Sequence, residues 1–260
     1  MMRALSTSAT GMQAQQLNVD TIANNLANVN TTSFKKASVR FQDLLYQDMR
    51  PAGDPSRLGP PSELAIGHST KLAATERTFR QGTTEQTKNP LNLVIEGDGF
   101  FQIARPDGTY GYSRDGAFYV SADGEMVNSD GLPLEPRIML PDDVNQMFIS
   151  QEGVVSVNYT DSVEVDEIGQ IELARFLNPA GLHALGRNQY APTPASGDPL
   201  LGTPGADGFG GVLQGFLEGS NVEVVEEMVA LITAQRAYEI NSKSIQTADN
   251  MLGQAVQLVR

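Results

Sequence analysis

SNVEVVEEMVALITAQRAYEINSKSIQTADNMLGQAVQLVR, residues 220–260, is the stretch on which the reading of the fold turns. Every seventh residue from Val224 is apolar: Leu231, Tyr238, Ile245, Leu252 and Val259 follow it. That period puts the side chains on one narrow stripe of an α-helix. The neighbouring column, Ala234, Asn241, Ala248 and Ala255, is small and would let another helix approach closely. Ser220 and Glu223 stand in capping-box spacing, and Glu223, Glu226 and Glu227 place negative charge at the positive end of the helix dipole. Glu239 and Lys243 offer an i,i+4 pair. No proline interrupts the run, so it predicts a helix of about 38 residues, roughly 57 Å long.

Working outward, the opposite end of the chain repeats the pattern. Leu5, Met12, Val19 and Leu26 recur at seven, with Ile22 and Val29 beside them, and predict a helix over Arg3–Val29. Gly11 weakens its interior by roughly 1 kcal/mol relative to alanine. Asn24, Asn25, Asn28 and Asn30 crowd its last turns. Asparagine competes with the helix backbone for hydrogen bonds, so simple fraying is one reading. Bonding of these amides to a neighbouring chain is the other, and the residues alone favour fraying.

Between the helices the pattern changes. Phe41, Leu44 and Leu45 are candidate anchors, and then Pro51, Gly53, Pro55, Gly59, Pro60 and Pro61 arrive together. Such a run excludes helix and central strand and predicts an extended arm. From Leu91 to Phe216 the chain reads as β-structure. Leu91, Leu93 and Ile95 alternate with polar residues, and Asp-Gly pairs at 107–108, 115–116, 123–124 and 130–131 predict hairpin turns in an antiparallel meander. Residues 192–211, rich in proline and glycine, predict a loop back towards the last helix. The expected fold class is therefore α+β. Long N- and C-terminal α-helices pair as a coiled coil, with an inserted β-rich domain and an extended proline-rich arm. The expected boundaries are 1–35 with 217–260 for the helices, 36–70 for the connecting segment with its arm, and 71–216 for the β-rich domain.

Composition excludes several functions. A net charge of −13, from 18 basic and 31 acidic residues, argues against a nucleic-acid partner. Cysteine is absent, which removes disulfides, thiolate metal sites and cysteine nucleophiles together. Residues 4–19 lack the continuous apolar core of a cleaved signal peptide. The aliphatic run Met228–Ile232 is far shorter than the roughly 20 residues that span a bilayer, so stable membrane insertion is not expected. His68 and His183 form no His-x-x-x-His pair and read as solvated loop residues. No nucleophile elbow, Walker loop or dinucleotide fingerprint occurs. Asp-Gly pairs about eight residues apart fit repeated turns better than a calcium loop. No catalytic residue, cofactor or metal site is expected.

Longer motifs carry a resemblance. Ala23-Asn24-Asn25-Leu26-Ala27-Asn28-Val29-Asn30-Thr31 with Phe34-Lys35, and Ser220-Asn221-Val222 through Glu226-Glu227-Met228, resemble the terminal signatures of the flagellar rod and hook proteins. Gln235-Arg236-Ala237-Tyr238-Glu239 and Asn241-Ser242-Lys243 extend the second signature. Gly97-Asp98-Gly99-Phe100-Phe101 and Tyr112-Ser113-Arg114-Asp115-Gly116 are similar to that family's β-domain. Ser33 departs from the pattern, since the family usually has glycine before Phe-Lys, where it would permit a left-handed cap.

The resemblance implies a structural subunit of the flagellar distal rod, exported by the flagellar type III apparatus without signal cleavage. It would self-assemble into a helical tube that crosses the periplasm and transmits torque. Its implied partners are further copies of itself, proximal rod proteins, the hook protein and the ring bushing. The expected interface between copies comprises Leu5, Met12, Val19, Ile22, Leu26, Asn24, Asn25, Asn28 and Phe34 at one end of the chain. At the other end it comprises Val224, Leu231, Tyr238, Asn241, Ile245, Leu252 and Val259. The competing readings are a paralogous axial protein, a secreted β-rich hydrolase of cell-wall glycan, and a binding module whose helices merely dimerise.

Overall fold

A computed structural model of the chain describes residues 2–44, 46–50, 64–67, 69–141, 143–159 and 165–258. Among them are two α-helices, α1 (Met2–Ala27) and α2 (Val224–Leu258), and twenty β-strands. The residues form two compact units. One gathers 1–27, 37–77 and 223–260, and the other 28–36 and 78–222.

The expected layout, two long helices pairing as a coiled coil around an inserted β-rich domain, is corrected. The chain is strand-rich, its two helices are unequal at 26 and 35 residues, and the helical unit carries strands of its own. The reason lies in which α2 side chains are covered. Glu227, Ala234 and Ala248 are buried, whereas Val224 and Tyr238 of the apolar heptad series are exposed. The helices meet at small and polar groups, Gly11 with Asn241 and Asn25 with Glu227, while Leu231, Ile245 and Leu252 of the heptad series are half-buried. A Cβ on Gly11 would lie 3.1 Å from Asn241 Nδ2, so the glycine that weakens α1 also allows this approach.

Within the same unit, Ala37–Asp43 pairs antiparallel with Thr70–Arg77, and Tyr46–Arg50 with Leu64–Gly67. The last two strands flank the proline-rich stretch. The expected arm through Pro51–Pro61 itself lies outside the described residues, as does His68. At the start of α2 the expected capping box is not formed. Ser220 Oγ instead accepts the Val222 N–H at 3.3 Å, and the helix begins after Glu223.

The strand pairings of the second unit are antiparallel, with one 3-10 turn at Pro179–Gly181. Its largest sheet runs in the order His183–Gly186, Gln189–Ala191, Tyr110–Ser113, Phe100–Ala104, Leu173–Arg175, Leu200–Gly202, and Leu134–Glu135 also pairs with Phe100–Ala104. A three-stranded sheet follows Val144–Ile149, Val154–Tyr159 and Val165–Gln170. Two pairings span more than a hundred residues: Leu93–Glu96 with Gly211–Gln214, and Thr84–Gln86 with Phe216–Glu218. The meander is thus only local, and the two ends of the unit close on each other. The expected loop over 192–211 contains the Leu200–Gly202 strand and the start of Gly211–Gln214. His183 is exposed at the start of a strand, not in a loop.

Three of the four Asp-Gly pairs make turns in which only the glycine is left-handed. Gly108, Gly124 and Gly131 have φ of 78°, 78° and 77°, while the preceding aspartates keep negative φ. Each is a tight turn closed by a left-handed glycine, as in Gly108 N–H to Arg105 O and Arg105 N–H to Thr109 O. Gln151-Glu152-Gly153 makes the same turn without aspartate, with Gly153 at φ 78°. Gly116 is different. A Cβ there would fall 1.7 Å from Leu93 O, so this glycine serves close strand packing.

The core of this unit is a continuous cluster that includes Leu93, Phe101, Phe118, Leu134, Val157, Ile171 and Val212. On the other face of the large sheet, Phe100, Tyr112, Phe176 and Tyr190 stack edge to face with centroids 4.8–6.2 Å apart.

Candidate assembly surface and the node beneath it

Residues 28–36 carry the chain from α1 into the β unit, and the local sequence dictates the path. Ser33 adopts φ 54°, the left-handed conformation for which glycine is best suited, so serine keeps the exit geometry. Two hydrogen bonds hold it there. Its N–H donates to Glu218 O at 2.8 Å, and its Oγ donates to Arg114 O at 2.7 Å.

Lys35 lies next in line and is fully buried. Its Nζ donates to Glu218 Oε1 at 2.5 Å and to Arg80 O at 2.8 Å. Glu218 Oε2 accepts from Arg114 Nε at 2.9 Å, and Oε1 also accepts the Gly82 N–H at 2.9 Å. Arg114 Nη2 donates further to Gly97 O at 2.8 Å and Ile95 O at 3.3 Å. Asn221 completes the arrangement by accepting the Lys36 N–H at 2.7 Å and donating to Thr78 O at 2.7 Å.

Burial pushes the Lys35 ammonium down from its ordinary pKa against the opposing pull of Glu218. Burial pushes the Glu218 carboxyl up, but Arg114 and Lys35 outweigh it and hold the group below its ordinary value. Two cations share one carboxylate, and backbone carbonyls take up their remaining donors. The Lys35, Arg114 and Glu218 side chains are buried and bonded to one another, so the capability of the node is mechanical. It ties the segment leaving α1 to the segment entering α2, and removal of one charge would strand another.

In the helical unit Asn25 plays a comparable part. Its Nδ2 donates to Ala37 O at 2.8 Å and its Oδ1 accepts the Ala37 N–H at 3.0 Å, which fixes the first strand against α1. The same Nδ2 lies 3.2 Å from Glu227 Oε2 on α2. Asn25 therefore neither frays nor is left over. It is spent within its own chain.

The remaining face of α2 is left uncovered by the described residues. Val225, Val229, Ile232 and Ile240 are 75%, 59%, 49% and 65% exposed, and Met228 joins them. A helix that is apolar on more than one side belongs among neighbours on more than one side.

Of the expected interface residues, Ile22, Asn25 and Phe34 are buried inside the chain. Leu5, Met12, Val19, Leu26, Asn28, Leu231, Asn241, Ile245 and Leu252 are half-buried, while Asn24, Val224 and Tyr238 are exposed. Val19 and Tyr238 line one groove, with Gln16, Gln235 and Glu239. Val259 lies outside the described residues. Sequence reasoning missed the ionic node and the ridge Val225–Val229–Ile232–Ile240. Both had a signal. Lys35 and Arg114 each sit inside a quoted motif, and the ridge follows a helical period offset from the heptad series.

Comparison with known proteins places these features. The family description "Flagella basal body rod protein" matches residues 5–35, "Flagellar hook protein FlgE/F/G D1 domain" matches 94–157, and "Flagellar basal body rod FlgEFG protein C-terminal" matches 213–258. The flagellar basal-body rod protein FlgG of Borreliella burgdorferi is 53% identical over the full length of both chains. The chain belongs to the FlgG family of flagellar basal-body rod proteins. The FlgG proteins of Agrobacterium fabrum (46% identical, 96% of this chain and 97% of the relative) and of Buchnera aphidicola from Schizaphis graminum (44%, 99% and 100%) are similar along nearly the whole length. The terminal family matches thus fall on the segments that the node joins: residues 5–35 include Ser33 and Lys35, and residues 213–258 include Glu218 and α2.

Proposed function

We propose that the chain is a structural subunit of the flagellar distal rod, polymerising into the helical drive-shaft that carries torque to the hook. What supports this most is the exposed apolar side of α2 in a chain related to FlgG proteins from end to end. A surface that finds no cover among the described residues is one that neighbours can cover, and a head-to-tail contact that does not close builds an open filament. The role asks for shape and rigidity and not for chemistry, so we assign it no catalysis. Its neighbours are other copies, the proximal rod, the hook protein and the ring bushing, and the flagellar type III apparatus delivers it. The interface between copies draws on Leu5, Met12, Val19, Leu26, Tyr238 and Leu252. Among the described residues no helix is long and apolar enough to cross a membrane. The full-length identity to FlgG proteins does not favour the paralogue or the glycan hydrolase.

Basal bodies isolated from cells lacking this chain test the assignment by electron microscopy. A rod that stops before its distal part is expected. A full-length rod missing only the hook would contradict it.

A further inference from the structure

The exposed side of α2 has a definite chemistry, and a second surface on the same unit is its complement. At 100° per residue, Val225, Val229, Ile232, Arg236, Ile240 and Lys243 fall within an arc of about 80°. The column that faces α1, Glu227, Ala234, Asn241 and Ala248, lies about 150° round the helix. The ridge therefore points away from the chain's own packing. It is apolar towards the N-terminus and interleaves Ile232 and Ile240 with two cations towards the middle. Arg236 and Lys243 have no ion-pair partner among the described residues, and the intrahelical pair expected between Glu239 and Lys243 is not made.

The complement is the groove of about 450 Å³ between the two helices, lined by Gln16, Val19, Gln235, Tyr238 and Glu239. Val19 and Tyr238 supply its apolar and aromatic lining. Glu239 is part of the lining, and Asp20 next to Val19 in sequence is exposed. Glu239, too, has no ion-pair partner among the described residues. One surface is apolar and cationic, and the other is apolar and anionic.

We propose that the α2 ridge of one copy docks in the α1–α2 groove of a second copy, with Ile232 and Ile240 against Val19 and Tyr238 and Arg236 against Glu239. The contact rests on the self-assembly reading above and gives it residues. The two surfaces differ, so a pair of copies leaves one ridge and one groove free, and the next copy adds to them. A two-fold arrangement would instead match a surface with itself and stop at a dimer. Rim charges of this kind set register and reject wrong partners, while the buried aliphatic side chains supply the affinity.

The test uses full-length chains in cells that lack their own copy. Arg236→Glu and Glu239→Arg are each expected to lower the yield of rods at least tenfold, because each sets like charges face to face. Together in one cell, as two separate chains, they are expected to restore the yield to within twofold. The ridge that has gained a carboxylate in the first variant then meets the groove that has gained a guanidinium in the second. Thermal unfolding of each purified variant within 2–3 °C of wild type, roughly what a surface change gives, separates assembly from folding. As a second readout, a chain with Ile232→Cys and Val19→Cys, otherwise free of cysteine, is expected to give a ladder of disulfide-linked oligomers from oxidised rods. Either charge variant building rods like wild type, no restoration by the mixed pair, or closed dimers in place of the ladder overturns the contact. If rods form but no bridge between positions 232 and 19 does, the contact fails and self-assembly stands. If wild-type chain is absent from the rods, both fail.

Discussion

The two units of this chain solve the problem of burial differently. Residues 28–36 and 78–222 cover a continuous apolar cluster on one side of the large sheet and an aromatic one on the other, with Phe101, Leu134 and Leu173 fully shielded. The helical unit fully covers only Ala14, Ile22, Ala234 and Ala248 among its described apolar side chains, and leaves Val225, Val229 and Ile240 mostly in water. Burial of a large aliphatic side chain stabilises by roughly 1.5–3 kcal/mol, and alanine offers much less. One unit is complete in a single chain. The other leaves apolar surface that the proposed polymer would cover.

Substitutions that strike each unit sharpen this contrast. The largest effect on the isolated chain is expected at Glu218, in the complete unit. Glu218→Gln leaves Lys35 and Arg114 buried with no anion between them and should cost about 3–5 kcal/mol in denaturant unfolding. The same residue sets a pH dependence. Its carboxyl is held below the ordinary value of 4.5, so near and below that pH the unfolded chain binds the proton more readily. The stability it contributes is complete above about pH 4.5 and is lost as the pH falls through the folded-state value. Glu218→Gln should flatten that acid limb relative to wild type, measured as Tm against pH. An unchanged limb would show that the node does not hold the carboxylate ionised.

Asn25→Ala comes next and acts in the helical unit. It leaves both backbone groups of Ala37 and the Glu227 carboxylate short of a partner, for about 2 kcal/mol. Hydrogen exchange should localise the loss to α1 and the Ala37–Asp43 strand, with the β unit unaffected. Spread of the loss into residues 93–104 would deny the independence of the units.

The smallest effects belong to Ser33. Ser33→Ala keeps the left-handed backbone and gives up the bond to Arg114 O, for about 1–2 kcal/mol. Ser33→Gly gives up the same bond but relieves the backbone, and should fall within about 1 kcal/mol of wild type. Equal losses for the two would mean that the conformation carries no strain.

How much of this can be read from the residues follows from the physics of each signal. The helices are legible because their periodicity is local: the pattern predicts Arg3–Val29, and the helix spans Met2–Ala27. The turns are legible in place but not in kind, since an Asp-Gly pair marks a left-handed glycine without saying which residues precede it. The coiled-coil layout fails because a heptad series shows which face is apolar, not which face is covered. In α2 Ala234 and Ala248 of the small column are buried while Val224 and Tyr238 stay exposed. The node is illegible for a different reason. Lys35, Arg114 and Glu218 meet only once the Thr84–Gln86 and Phe216–Glu218 strands pair across more than a hundred residues. A lone charge in a sequence reads as surface.

Single-cysteine labelling measures most directly whether the helical unit is finished by its neighbours. In a chain with no other thiol, Val229→Cys should react with a soluble maleimide at the rate of a free exposed thiol while the chain is monomeric, and at least tenfold more slowly in assembled rods. Leu177→Cys, on the β unit and 92% exposed, gives the reference rate in each state. Equal labelling of position 229 before and after assembly would contradict the account.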